Sequence, residues 1–197
     1  MSGRILVAGI GNVFLRDDGF GVEVSHLLGR RALPVGVRVE DYGVRGIHLA
    51  YDLLEGYDAL VLVDAVPMGE PPGTLAVIEP EPAIGQATVS SSNADRGTVV
   101  AVDAHGMSPD IVLATLTRLG GSVDRIVIVG CQPGNLDEGM GLSPAVQAAV
   151  TAAVDLCLEQ LVDQSILGKW RCRGVQVIQH VVALFHRERR YPACRLP

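Results

Sequence analysis

Residues 4–18 read Arg4-Ile-Leu-Val-Ala-Gly-Ile-Gly-Asn-Val-Phe-Leu-Arg-Asp-Asp18, and this stretch decides the fold. Its first half is an unbroken apolar run, the pattern of a strand covered on both faces, as parallel strands flanked by helices are. The run stops at Gly11-Asn12, and from Gly19 to Arg31 the apolar residues Phe20, Val24, Leu27 and Leu28 return at helical spacing. Asp17 and Asp18 stand where side-chain oxygens cap the first amides of a helix. Whether one caps while the other points outward stays open at this point.

The same alternation continues downstream. Val37 to Asp41 alternates and stops at Gly43, Ile47 to Leu54 has helical spacing, and Ala59-Leu-Val-Leu-Val-Asp-Ala65 is a second buried strand with Asp64 near its end. Thr74 to Ile78 follows Pro71-Pro72-Gly73 with no helix before it, which predicts an antiparallel strand. Pro80 to Ala104 is rich in Ser, Gly and Ala and reads as a loop. Ser108-Pro109 and Ser143-Pro144 each set an N-cap ahead of a proline at the first helical position, opening helices to Leu119 and Leu161. Between them, Arg125 to Cys131 is again a strand. Strands alternating with helices predict an α/β fold, a three-layer α/β/α sandwich around a twisted, mostly parallel sheet of about five strands. Ligands in such folds sit beyond the carboxyl ends of the strands, here residues 11–18, 41–46, 64–69 and 131–140.

The chain has 197 residues, 48% of them apolar, enough for one core that buries about 70% of the unfolded chain's surface without a metal or disulfide. Four cysteines without CxxC spacing read as free thiols. The net charge of -6 argues against a nucleic-acid partner, and no segment reads as a membrane span or a signal peptide, so a cytoplasmic location is expected. The charge is uneven. Residues 166–197 carry seven basic side chains against Glu188 alone, a net of +6, which leaves -12 for residues 1–165. The expected division is a domain over residues 1–165 and a basic extension over 166–197.

Three sets of residues carry candidate chemistry. Gly9-x-Gly11 begins like a dinucleotide-binding turn, but Phe14 stands at the third glycine position and two carboxylates follow where a pyrophosphate would lie. Asp64 closes an apolar strand, where a carboxylate is costly unless it meets a donor or a metal; an Asx turn into Pro67 is the plainer alternative. With a carboxylate of the Asp17-Asp18 turn and the loop residue His105 it makes an open ligand set for a divalent metal. Cys131, at a strand end, is either a small buried apolar residue or a thiol nucleophile paired with His105. A nucleotide-binding module and a Cys131 thiol hydrolase therefore stand as alternatives to a metal-dependent site.

Gly9-x-Gly11-Asn12, Asp17-Asp18-Gly19-x-Gly21, Asp41-x-Gly43-x-x-Gly46, Asp64-Ala65 with Pro72-Gly73, His105 and Gly141-Leu142-Ser143, taken in order, resemble the hydrogenase maturation proteases. The resemblance runs from about Arg4 to Leu161. It implies a phosphorylase/hydrolase-like fold and a cytosolic endopeptidase, grouped with the aspartic type. Such an enzyme removes a C-terminal extension from the precursor of the nickel-iron hydrogenase large subunit after nickel insertion. Carried over residue by residue, it implies Asp18, Asp64 and His105 as metal-binding and catalytic residues, and Asp41, Gly43 and Gly46 as part of the substrate cleft. The nickel is the substrate's own, so no permanently bound cofactor is expected, and the enzyme is expected to act as a monomer. Three departures from the family pattern matter. Asp18 stands where Glu is common and is shorter by one bond, roughly 1.5 Å, so the loop must approach closer or Asp17 must share the task. Tyr42 and Val44 replace the usual Gly and Thr, and Asp103 stands two before His105, placed to orient its imidazole.

Overall fold

The computed structural model describes residues 3–79 and 109–166, within the first of the two units into which the chain divides, Met1–Leu167 and Gly168–Pro197. His105, Asp103, the expected loop over Pro80 to Ala104, the Ser108 cap and, apart from Ile166, the basic extension lie outside the described residues. The elements are β1 (Ile5–Ile10), α1 (Phe20–Leu28), β2 (Val37–Gly43), α2 (Gly46–Leu53), β3 (Ala59–Ala65), β4 (Leu75–Ile78), α3 (Pro109–Arg118), β5 (Arg125–Cys131) and α4 (Pro144–Ile166). A single 3-10 turn, Arg16–Gly19, precedes α1. α1 stops at Leu28, short of the expected Arg31, at Gly29, a poor helix former. α4 runs beyond the expected Leu161.

The sheet order is β2-β1-β3-β5-β4. β1 pairs in parallel with β2 and β3, β3 in parallel with β5, and β4 antiparallel with β5, as the missing helix before it predicts. All six residues of β1 are buried, and their alternation divides the core in two. Ile5 and Val7 pack with Phe20, Val24 and Leu28 of α1 and with Val146, Val150 and Val154 of α4. Leu6, Ala8 and Ile10 pack on the other face with Leu49 and Leu53 of α2 and Val112 and Leu116 of α3. Each such side chain, fully withdrawn from water, contributes about 1.5–3 kcal/mol, so the two layers hold the helices to both faces.

This order fixes where a site can form. The chain leaves β1 for β2 on one side and then returns past β1 to β3 on the other, so α1 and α2 cover opposite faces and the carboxyl ends of β1 and β3 open into a crevice. Among the described residues, no helix is long and apolar enough to cross a membrane.

Candidate active site

Two glycines bring the acidic turn onto that crevice. Gly11 has φ +129°, and a Cβ there would lie 1.8 Å from the Asp18 carbonyl oxygen. Gly21, in the first turn of α1, sits so tightly on the strand ends that a Cβ would meet the Val63 carbonyl oxygen at 2.1 Å and that of Ile10 at 2.3 Å. The helix therefore starts directly over the gap between β1 and β3. The Asp-Asp-Gly-x-Gly spacing has this steric cause: the carboxylates can reach the crevice only if the next turn carries no side chain against the strands.

Asp18 is half-buried, and its Oδ2 accepts the Asn12 N–H at 2.7 Å. Asp64 faces the same space from β3. Its Oδ1 accepts the Ala65 N–H at 2.8 Å, and its carboxyl is pushed up to about 8, by burial first and by the negative charge of Asp18 second, against a smaller opposite effect of that hydrogen bond. A carboxyl group raised by burial and by a neighbouring carboxylate in the same cleft makes a site for a cation or for a held proton. Among the described residues no three His, Cys, Asp or Glu side chains converge as a metal site. The third expected ligand, His105, lies outside the described residues.

Asp17 does something else. It is fully buried, with 0% exposure, and accepts four hydrogen bonds: from Gly134 N–H (2.8 Å), Asn135 N–H (2.8 Å), Ser143 N–H (2.5 Å) and the Ser143 hydroxyl (2.8 Å). Burial alone would raise its carboxyl, but these donors outweigh burial and hold it below the usual carboxylate range. Asp17 thus ties the 134–143 loop and the start of α4 to the turn that carries Asp18. Two expectations are corrected here. Neither aspartate caps α1, whose N-cap is Gly19 with no side-chain cap bond, because each carboxylate is drawn to other amides. Nor does Asp17 stand free beside Asp18, since its carboxylate is buried and held by these four donors.

On the other side of β1, register places Asp41 of β2 level with Gly9, which in turn faces Val63 of β3. Asp41 Oδ2 meets His26 Nε2 at 3.1 Å, its carbonyl accepts from the Arg45 guanidinium, and its Oδ1 is buried without a partner. The Gly43 carbonyl accepts the Gly11 N–H at 3.0 Å, stitching the two strand ends together, and Gly46 opens α2. The Asp41-to-Gly46 turn thus borders the crevice. Tyr42 points away from it, buried with its hydroxyl donating to Asp52 at 2.6 Å.

The two alternatives fare poorly. Three amides of the Gly9-to-Phe14 turn that would face a phosphate are already used: Gly11 on Gly43, Asn12 on Asp18, and Phe14 on the Asn12 side chain at 3.0 Å. Cys131 is fully buried in the α1/α4 core, and its thiol is pushed up to about 12 by burial and then by Asp17, so it is no thiolate at neutral pH. One contributor was missed from sequence. Gln132 Oε1 accepts the Met68 and Glu70 N–H groups at 2.5 and 3.3 Å, holding the loop that follows Asp64. A lone polar residue after an apolar strand was its only signal.

Known proteins of one family resemble this chain in sequence and in fold. The family model described as "Hydrogenase maturation protease" matches residues 22–160. The hydrogenase expression/formation protein HupD of Rhodobacter capsulatus is 35% identical over 162 residues, covering 80% of this chain and 71% of that protein. The hydrogenase 2 maturation protease of Escherichia coli is 30% identical over 167 residues, covering 83% of this chain and 93% of that one. Among solved structures, the E. coli hydrogenase maturating endopeptidase HybD superposes with a TM-score of 0.64 at 29% identity, covering 81% of this chain and 93% of that one. A hydrogenase 2 maturation peptidase from a Thaumarchaeota archaeon gives 0.60 at 36% identity, covering 81% and 98%.

Proposed function

The chain belongs to the hydrogenase maturation protease family and is a peptidase; from that premise we propose that it removes a C-terminal extension from the precursor of a nickel-iron hydrogenase large subunit, after nickel has been inserted. The observation that carries the reading is the pair Asp18 and Asp64, two carboxyl groups coupled across the crevice where β1 and β3 end. A divalent ion delivered by the substrate relieves the repulsion between them and lets Asp64 ionise beside Asp18. Asp18, Asp64 and His105 are the proposed ligands, which leaves positions open for the precursor's own groups and for water. No resident cofactor is part of this reading. The enzyme is proposed to act in the cytoplasm as a monomer, with the Asp41-to-Gly46 turn bordering the bound polypeptide.

Peptide hydrolysis needs an activated water, a stabilised oxyanion and a proton for the leaving amine. Requiring the substrate's nickel to complete the site makes cleavage a test of metal loading. A second reading, in which nickel docks the substrate and Asp64 takes the proton from the attacking water, is favoured by one observation. Its carboxyl, pushed up to about 8, lies near the range in which a general base works at neutral pH. Both readings are tested by incubating nickel-loaded precursor with wild type, Asp18→Ala, Asp64→Ala and His105→Ala. Loss of cleavage in all three supports the ligand set, and full activity in the three variants overturns it.

A further inference from the structure

We infer that Arg16, flanked by Phe14 and Met140, grips the substrate polypeptide beside the bond that is cut: its guanidinium donates to an acceptor oxygen of that chain, and the two apolar side chains cover an adjoining apolar residue. This deepens the proposed activity and rests on it. Among the described residues, Arg16 is the one non-glycine with a left-handed backbone, φ 49°. Such a conformation persists only where the surroundings impose it, and it gathers at ligand-binding positions. Here the surroundings are explicit. The Arg16 N–H donates to the Gly139 carbonyl at 3.0 Å, the Gly139 N–H donates to Phe14 at 2.8 Å, and the next residue is the buried Asp17. The guanidinium lies against Gly139, where a Cβ would come within 3.0 Å of Cζ, Nε and Nη2.

Among the described residues this rigid mounting serves no partner. Among the described residues only two buried side-chain polar atoms lack a hydrogen bond, Arg16 Nε and Asp41 Oδ1. Arg16 opens the turn after β1 and Asp41 lies near the end of β2, both at the carboxyl end of the sheet where Asp18 and Asp64 stand. Buried polar groups are satisfied almost everywhere else in proteins, so an orphaned donor at the mouth of a site asks for an acceptor from outside. No ion pair to Arg16 forms among the described residues, although Asp137 and Glu138 stand beside Gly139. Phe14 and Met140 are 64% and 71% exposed. They flank the Leu15–Gly139 bridge that joins the two loops, so two large apolar side chains are held in water next to an unpaired guanidinium. An extended polypeptide supplies both things that this surface lacks, a carbonyl oxygen and an apolar side chain.

The test is steady-state cleavage of the nickel-loaded precursor by wild type, Arg16→Gly, Phe14→Ala and Met140→Ala, with urea unfolding of each protein alongside. Arg16→Gly removes the side chain and the backbone strain together, so its stability should equal or exceed that of wild type. Its KM should rise about tenfold to a hundredfold, the effect of losing one charge-assisted hydrogen bond, with kcat little changed. Phe14→Ala and Met140→Ala should each raise KM severalfold without loss of stability. Failure of wild type to cleave the precursor would overturn the proposed activity itself. Cleavage by wild type with an unchanged KM in Arg16→Gly and Phe14→Ala, or a destabilised Arg16→Gly, would overturn this inference alone.

Discussion

Replacing Asp64 by Asn should make the protein more stable, and increasingly so as pH rises. In the fold the Asp64 carboxyl keeps its proton up to about pH 8, whereas in the unfolded chain it loses it near its ordinary value of 3.8. Between those limits the folded state binds one proton more than the unfolded state, so this group's contribution to stability is greatest below pH 4 and declines as pH increases, by about 1.4 kcal/mol per pH unit at most. At pH 7 the full shift corresponds to about 4 kcal/mol, and about 2 kcal/mol remains if water entering the cleft halves it. Asparagine has the same shape, keeps an oxygen for the Ala65 N–H and carries no charge. Urea unfolding of wild type and Asp64→Asn at pH 5, 6, 7 and 8 reads the difference directly, because titrations not coupled to Asp64 cancel between the two proteins. The gap should widen with pH and level off near pH 8. Asp18→Asn in the same series should narrow it, since the Asp18 charge is the second cause of the shift. A gap that stays constant from pH 5 to 8 would show that Asp64 is already ionised in the fold and would refute the coupled-carboxyl account.

Other outcomes follow from the same contacts. Asp17→Ala leaves four inward donors without an acceptor and should cost about 3–5 kcal/mol in urea unfolding; because the Asp17 carboxyl is held low, its contribution in wild type is complete above pH 4 and is lost as pH falls further. Gly21→Ala forces a methyl into the Val63 and Ile10 carbonyls and should lower stability by about 3 kcal/mol or abolish folding, a loss visible as a reduced melting temperature together with lost cleavage. Cys131→Ala should retain cleavage, and the native Cys131 thiol should resist iodoacetamide until urea unfolds the chain; rapid labelling of the native protein at that residue, read by peptide mass, would contradict its placement.

The layered architecture was legible because each element announces itself locally. Continuous apolar runs at residues 5–10, 59–63 and 126–131 mark strands buried on both faces, and the absence of a helix before Leu75 marks β4 as antiparallel. Asp64 stood out for a related reason, since a carboxylate closing an apolar strand conflicts with its surroundings unless it meets a donor or a cation, whereas the choice of Asp18 over Asp17 rested on the family resemblance. What stayed hidden depends on partners distant along the chain. Asp17 reads like Asp18 in sequence, yet its donors lie more than a hundred residues downstream, and that distant cradle is what separates a structural carboxylate from one facing the crevice. The clamp from Gln132 to the loop after Asp64 crosses more than sixty residues and leaves no periodic trace. The left-handed backbone of Arg16 likewise follows from the bridge to Gly139, not from any preference of arginine.

The most direct measurement is the intact mass of the large-subunit precursor after incubation with the wild-type enzyme, with nickel inserted and without it. The account predicts a single mass loss equal to the C-terminal extension in the nickel-loaded sample and an unchanged mass in the other. Equal cleavage of both samples, or of neither, would contradict it.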